Sequence, residues 1–156
     1  MVRGPQSIVD RALTVGGQAP GCRTVVPHIG HEGVVMRVAA EILVGVVAAI
    51  HVYIVILEMF LWKTPRGRKA FDLTAEFAEQ TAALAANQGL YNGFLAAGLV
   101  WGMIASDPVG YAARVFFLVC VVIAGVYGTF TANRRILFIQ ALPAAVALVL
   151  VILAHY

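Results

Sequence analysis

The stretch 51-HVYIVILEMFLWKTPRGR-68 begins as an apolar run and ends as a dense basic turn. Its apolar part carries one histidine, His51, and one acid, Glu58. An apolar run that stops at a cluster of positive charge is typical of a membrane-spanning helix with a cytoplasmic end. A carboxylate inside such a helix is costly unless it is paired or used, so Glu58 is the first candidate functional residue.

The composition of the whole chain is that of a membrane protein. Of the 156 residues, 61% are hydrophobic and 12% are charged, whereas soluble domains average about 25% charged residues. The net charge is +3, but most basic residues lie in predicted loops, so we interpret them as topology signals. The expected partner is the lipid bilayer and not nucleic acid. Because Cys22 and Cys120 have no metal-ligand spacing, we predict neither a metal site nor a cofactor.

Four apolar windows predict an all-α fold. Each window is near the ~20 residues that cross a bilayer core, and four segments cannot close a β-barrel. The short connections predict an up-down antiparallel four-helix transmembrane bundle. The predicted domain covers residues 36–156, with helices at about 36–62, 73–105, 109–132 and 135–154.

Residues 1–35 are predicted to form a disordered N-terminal tail. They contain scattered charge and no periodic apolar face, so they cannot bury enough surface to offset the entropy of ordering. Met36 directly precedes the first apolar window. We therefore hypothesise that Met36 is the true start and that residues 1–35 are a mis-called extension.

Basic residues set the predicted orientation. The positive-inside rule places the first and third loops in the cytoplasm and both termini outside, as in a multi-pass protein of the bacterial inner (plasma) membrane. The third loop contributes Arg134 and Arg135. The first loop forms the predicted cytoplasmic anchor, which consists of Lys63, Arg66, Arg68 and Lys69.

The second predicted helix combines small and polar residues. Gly89 and Gly93 lie in a stripe of small residues that allows a neighbouring helix to approach closely. The stripe also offers a route to a homo-oligomer or a larger membrane complex. Because the helix is polar over much of its circumference, it is predicted to be central.

Depth along the helices predicts which polar groups meet. At ~1.5 Å of rise per residue, Glu58 matches Asn87 or Gln88, and His51 matches Tyr91 or Asn92. These groups predict a small cavity open to the cytoplasm, with Glu58 at its mouth and His51 at its floor. The third predicted helix adds Tyr127, and the fourth adds Gln140. The candidate ligand-binding residues are Glu58, His51, Asn87, Gln88, Tyr91, Asn92, Tyr127 and Gln140.

Each of these residues also has a purely structural interpretation. Asn and Gln side chains commonly join membrane helices, at roughly 0.6 kcal/mol for each hydrogen bond. Lys63 or Arg66 could curl back to neutralise Glu58. Near the outer surface, Glu41 and Arg37 are one helical turn apart and predict a solvated ion pair.

Three strings carry a family resemblance: HVYIVILEMFLWKTPRGRKAF, LAANQGLYNGFLAAGLVWG and YGTFTANRRILFIQALPA. They resemble the small bacterial membrane proteins catalogued as domain of unknown function thirteen-oh-four. The resemblance runs from about Met36 to Tyr156. It implies the fold and a membrane location but no activity, and residues 1–35 depart from the family pattern.

Three functional hypotheses follow from the sequence. The first is binding or transport of a small lipophilic or cationic molecule, with Glu58 alternating between a protonated and a ligand-paired form. The second is an accessory subunit that assembles through Gly89 and Gly93. The third is a membrane enzyme or quinone-associated redox protein that uses His51 and Tyr91 as a proton relay. We rank the enzyme last, because the chain has no carboxylate pair at catalytic spacing.

Overall fold

The computed structural model describes residues 30–155, and within them every regular element is a helix. The α-helices of this part are α1 (His31–Val55), α2 (Pro65–Phe71), α3 (Ala75–Gln80), α4 (Ala82–Ile104), α5 (Val109–Thr131) and α6 (Leu142–His155). A first π-helical turn (Ile56–Phe60) continues α1, and a second (Leu137–Ala141) leads into α6. The all-α prediction is therefore confirmed for the described residues.

The first helix begins earlier than predicted. The sequence places its start at residue 36, but α1 begins at His31 and has Glu32 in its first turn. An acid in that position is stabilised by the helix dipole. The predicted disorder is therefore wrong for His31–Val35. Residues 1–29, on which the rest of that prediction and the start-site hypothesis fall, lie outside the described residues.

Two short helices form after the first π-helical turn: α2 lies in the first basic loop, and α3 lies at the start of the predicted second helix. Thr64 caps α2 by accepting a hydrogen bond from the backbone N–H of Gly67 at 3.3 Å, with Pro65 at the first helical position. Thr74 caps α3 by accepting from the N–H of Phe77 at 3.2 Å. Threonine at an N-cap and proline at the first position are both favourable. Local capping thus forms a helix, α2, in a segment that the sequence predicts to be a loop.

The predicted helix over 73–105 is divided as a result. It consists of α3 and α4, separated by a break at Thr81. At the break, the Thr81 hydroxyl donates to the carbonyl of Phe77 at 2.7 Å and accepts from the indole N–H of Trp62 at 3.1 Å. This pair of bonds ties the first loop to the start of α4.

Two of the predicted helices contain a π-helical turn. In the first, the N–H of Leu61 bonds to the carbonyl of Ile56 at 3.1 Å, five residues back. In the second, the N–H of Leu142 bonds to the carbonyl of Leu137 in the same pattern. Pro143 explains the second turn, because its missing N–H would leave an unpaired carbonyl in a regular α-helix.

The long helices pack against one another as neighbours. Helix α1 contacts α4 and α6, and α5 contacts the same two helices. Buried apolar side chains fill the space between them, with Val44 and Val47 from α1, Leu99 from α4 and Leu118 from α5 all at most 1% exposed. The core therefore lies between the long helices, and α2 and α3 lie outside it.

Three helical segments are long and apolar enough to cross a membrane: His31–Phe60, Val109–Thr131 and Leu137–His155. Helix α4 has 23 residues, but Asn87, Gln88 and Asn92 make it less apolar than these three. Large apolar side chains are exposed on the outside, including Phe130 at 85%. Length, composition and surface therefore indicate a membrane protein.

Gly67→Ala is expected to weaken the docking of α2 by about 1 kcal/mol, toward the low end for overpacking because α2 is a short helix outside the core and can shift as a unit. A Cβ on Gly67 would lie 2.1 Å from the backbone oxygen of Leu61. We expect the Trp62–Thr81 hydrogen bond to break, so Trp62 fluorescence should shift to longer wavelength when measured in a Trp101→Phe background. Gly30→Ala is the control, because a Cβ there has nothing within 4 Å. Unchanged Trp62 emission would contradict this packing.

Candidate functional site

Glu58 lies in the first π-helical turn and faces α4. Its Oε2 accepts a hydrogen bond from Nδ2 of Asn92 at 2.8 Å. The same nitrogen donates to the backbone carbonyl of Gln88 at 3.2 Å, which fixes the orientation of the amide. A neutral amide satisfies a carboxylate oxygen but does not neutralise its charge. The half-buried Glu58 is thus hydrogen-bonded without being charge-paired.

The partner of Glu58 differs from the predicted one. Depth matching selects Asn87 or Gln88, whereas the structure uses Asn92, further along α4. A Cβ on Gly89 would lie 3.2 Å from the Cβ of Glu58, so Glu58 is level with Gly89, about two turns into α4. The depth match counts rise from Trp62 and Thr81 and places Glu58 nearer the start of α4.

His51 is completely buried, with 0% of its surface exposed. Its Nδ1 bonds to the carbonyl of Val47 at 2.8 Å, and since a carbonyl can only accept, Nδ1 carries the proton. Its Nε2 lies 3.3 Å from Nε2 of Gln140 and accepts from that amide. These partners assign a neutral imidazole that joins α1 to the second π-helical turn.

The predicted partners of His51 on α4 are wrong, because its hydrogen bonds go to Val47 and Gln140. Tyr91 is 54% exposed and packs edge-on against Phe94, with ring centroids 6.3 Å apart. The His51–Tyr91 relay of the enzyme hypothesis is therefore not formed by direct contact.

The candidate residues divide into an inner and an outer group. The outer group is exposed and consists of Asn87, Gln88, Tyr91 and Tyr127; of these, Tyr127 is 71% exposed. The inner group, which we call the polar seam, consists of Glu58, Asn92, His51 and Gln140. Ligand binding by either group stays a prediction.

The polar seam is built on both π-helical turns. Glu58 lies in the first and Gln140 in the second, and single π-turns occur frequently at functional sites. Glu58 and His51 are two helical turns apart, about 10 Å at 1.5 Å per residue, so they do not touch. Chemically, Glu58 can hold a cation or a proton, and Nε2 of His51 can accept a proton.

The small-residue stripe of α4 is used within the chain. A Cβ on Gly89 would lie 2.5 Å from Cγ of Met59, and one on Gly93 would lie 3.8 Å from Cγ2 of Val55. The close approach that the stripe predicted is therefore made by α1 and the first π-helical turn. Assembly with another chain through Gly89 and Gly93 stays a prediction.

The residues of the predicted cytoplasmic anchor form no ion pair with Glu58. Lys63 pairs with Glu79 at 3.2 Å, and both side chains are more than half exposed. Arg66 and Lys69 are exposed, and Nε of Arg68 is buried without a hydrogen-bond partner. Within residues 30–155, no ion pair includes Glu58.

A second charged cluster lies at the opposite end of the long helices. Arg114 of α5 donates from Nη1 to Glu41 of α1 and from Nη2 to Asp107 at 3.0 Å. The predicted Glu41–Arg37 pair is wrong, since Arg37 instead donates to the carbonyl of Ala154 at 3.2 Å. The available sequence signal was an arginine within the apolar α5, which must find partners inside the protein.

Of two cavities in residues 30–155, the larger is at this end. It has a volume of about 270 Å³ and is lined mainly by polar residues: Arg37, Glu41, Asp107, Tyr111, Arg114 and His155. Tyr111 and His155 stack with ring centroids 3.7 Å apart. The predicted cavity with Glu58 at its mouth is neither of these two.

Comparison with known proteins supports the family resemblance. A family model described as "Protein of unknown function (DUF1304)" matches residues 45–152. The chain is also 29% identical over 116 residues to "Uncharacterized protein YpaA" of Lactococcus lactis subsp. lactis (strain IL1403), a match that covers 73% of this chain and 97% of that relative. No solved structure matches the chain.

Proposed function

The chain belongs to the DUF1304 family, whose description assigns no activity, and we propose from its own residues that it binds or transports a small lipophilic cation at Glu58. In this proposal it is a multi-pass protein of the bacterial inner membrane. The observation that carries the proposal is the Glu58 carboxylate, which has an amide partner and, among the described residues, no cation partner.

The membrane part of the proposal is an up-down bundle of α1, α4, α5 and α6. Three of the four segments are apolar enough to cross a membrane alone, and α4 packs between α1 and α5. On α4, Asn92 bonds to Glu58 of the first π-helical turn, and a polar side chain that faces another helix is tolerated in a bilayer. With the basic loops in the cytoplasm, Glu58 lies near the cytoplasmic surface.

Charge explains why a cation is the expected ligand. An ionised carboxylate away from water is costly until it is neutralised by a proton or an opposite charge. Among the other acids of residues 30–155, Glu41 and Asp107 bond to Arg114, and Glu79 bonds to Lys63. The remaining acids are exposed: Glu32, Asp72 and Glu76. In this part of the chain, Glu58 is the half-buried acid that has no cation partner.

The surroundings of Glu58 favour a lipophilic cation over a hydrated one. Its neighbours in the chain, Met59 and Phe60, are exposed apolar side chains, with Phe60 at 71%. Aromatic faces attract cations, by roughly 0.5–2 kcal/mol. A proton and the cation would compete for one carboxylate, so binding should strengthen as the pH rises.

The test uses tetraphenylphosphonium as the probe and the full chain in proteoliposomes. Glu58→Gln is expected to weaken binding at least tenfold and to remove its pH dependence, because the amide keeps the shape but not the charge. A tenfold loss corresponds to about 1.4 kcal/mol. Glu79→Gln is the matched control, since it removes one exposed charge at the same end. Equal binding by the wild type and Glu58→Gln would refute the proposal.

A further inference from the structure

The second cavity is apolar and lies on the outer surface between α5 and the second π-helical turn. Its volume is about 230 Å³, and its walls are Val122 and Val126 on one side and Leu137, Phe138 and Leu142 on the other. The two elements are in close contact at Ala141, which lines the groove, because a Cβ on Gly125 would lie 2.9 Å from the Cβ of Ala141. The larger side chains on both sides rise from this contact and form a groove.

One end of this groove is positively charged. Arg134 and Arg135 lie in the connection from α5 to the second π-helical turn, and both are exposed. The backbone N–H of Arg135 bonds to Oδ1 of Asn133 at 2.9 Å, which fixes the turn beside the groove. Along the helix, Arg135 is only about 3 Å of rise from Leu137. The backbone of these two exposed arginines is therefore adjacent to the apolar walls of the groove.

These two arginines have no acidic partner in the described part of the chain. Each of its ion pairs uses Lys63 or Arg114. Neither α5 nor α6 contains an aspartate or glutamate, so the helices that form the groove supply no negative charge. The site needs an occupant that is apolar along its length and negative at one end.

We propose that the groove binds one anionic phospholipid, with an acyl chain between α5 and the second π-helical turn and the phosphate at Arg134 and Arg135. Guanidinium groups bind phosphate oxygens in a bidentate manner. The acyl chain makes van der Waals contacts along the groove, which is how apolar groups associate inside a membrane. Glu58 does not line this groove, and the lipid proposal does not depend on the proposed function of Glu58.

The test is native mass spectrometry of the full chain with added phosphatidylglycerol or phosphatidylcholine. The wild type is expected to retain one phosphatidylglycerol and to prefer it over the zwitterionic lipid. Arg134→Gln/Arg135→Gln is expected to weaken that retention about tenfold, since basic residues near anionic lipid contribute electrostatic attraction. Arg66→Gln/Lys69→Gln is the matched control, because it removes two exposed charges from the other basic loop.

A second variant tests the groove separately from the charges. Ala145 lines the groove, and Ala145→Trp should fill it and displace the acyl chain while leaving both arginines. We expect this variant to lose phosphatidylglycerol as well, and we expect glycerol phosphate, which has no acyl chain, not to be retained. Equal loss in the Arg66/Lys69 control, full retention by Ala145→Trp, or retention of glycerol phosphate would each overturn the proposal.

Discussion

Arg114→Ala is expected to lower the free energy of unfolding by about 3 kcal/mol, the low end for breaking a buried ion pair. Arg114 has a side chain only 15% exposed, and its guanidinium bonds to both Glu41 and Asp107. Removing it leaves Glu41 without a cation beside the apolar core. The low end applies because the Glu41 and Asp107 side chains, 37% and 53% exposed, keep contact with water.

The measurement is reversible unfolding in mixed detergent, followed by circular dichroism. Arg37→Ala is the control, because Arg37 is exposed and its side chain bonds to one backbone carbonyl; we expect a loss below about 1 kcal/mol. The double variant Arg114→Met/Glu41→Gln should regain part of the loss, because it removes the unpaired charge. A similar loss for Arg37→Ala and Arg114→Ala would show that the cluster does not hold α1 to α5.

Gly125→Ala is expected to lower the free energy of unfolding by about 2 kcal/mol through overpacking. Its Cβ would lie 2.9 Å from both the Cβ and the backbone nitrogen of Ala141. Because backbone atoms cannot rotate away, α5 and the second π-helical turn must separate. This shift should also move Gln140 away from His51.

Gly45→Ala is the matched control for this prediction. A Cβ on Gly45 would meet only the flexible end of Met103, at 3.6 Å. Alanine is favoured over glycine inside a helix by up to about 1 kcal/mol, so Gly45→Ala should be neutral or stabilising. Thermal unfolding of both variants in one detergent checks the difference. Equal melting temperatures would contradict the close contact at Ala141.

Helix content and membrane character could be predicted from the sequence because both depend on the composition averaged over many consecutive residues. The apolar run before Lys63 and the scarcity of charge in α5 and α6 are visible without any contact. Glu58 was also identifiable, since an acid in an apolar run needs a partner wherever that partner lies. The identity of the partner was not, because Asn92 and Gln88 differ by only one helical turn.

Registration between helices could not be predicted because local features decide it. Thr64 and Thr74 cap two short helices through single hydrogen bonds, and the partner of Glu58 lies further along α4 than depth matching predicts. The second π-helical turn has a cause in Pro143, which the sequence displays. The first π-helical turn has no comparable sequence signal, so its effect on the direction of Glu58 appears only in the structure.

The two hydrogen bonds of the polar seam constrain how α1 can move. Glu58 bonds to Asn92 on α4, and His51 bonds to Gln140 at the second π-helical turn. Because these partners lie on different helices, rotating α1 about its axis, or sliding it, breaks both bonds together. A ligand that displaces Asn92 breaks only the first. The rest of α1 then stays attached through His51, through the Glu41–Arg114 pair and through its buried valines.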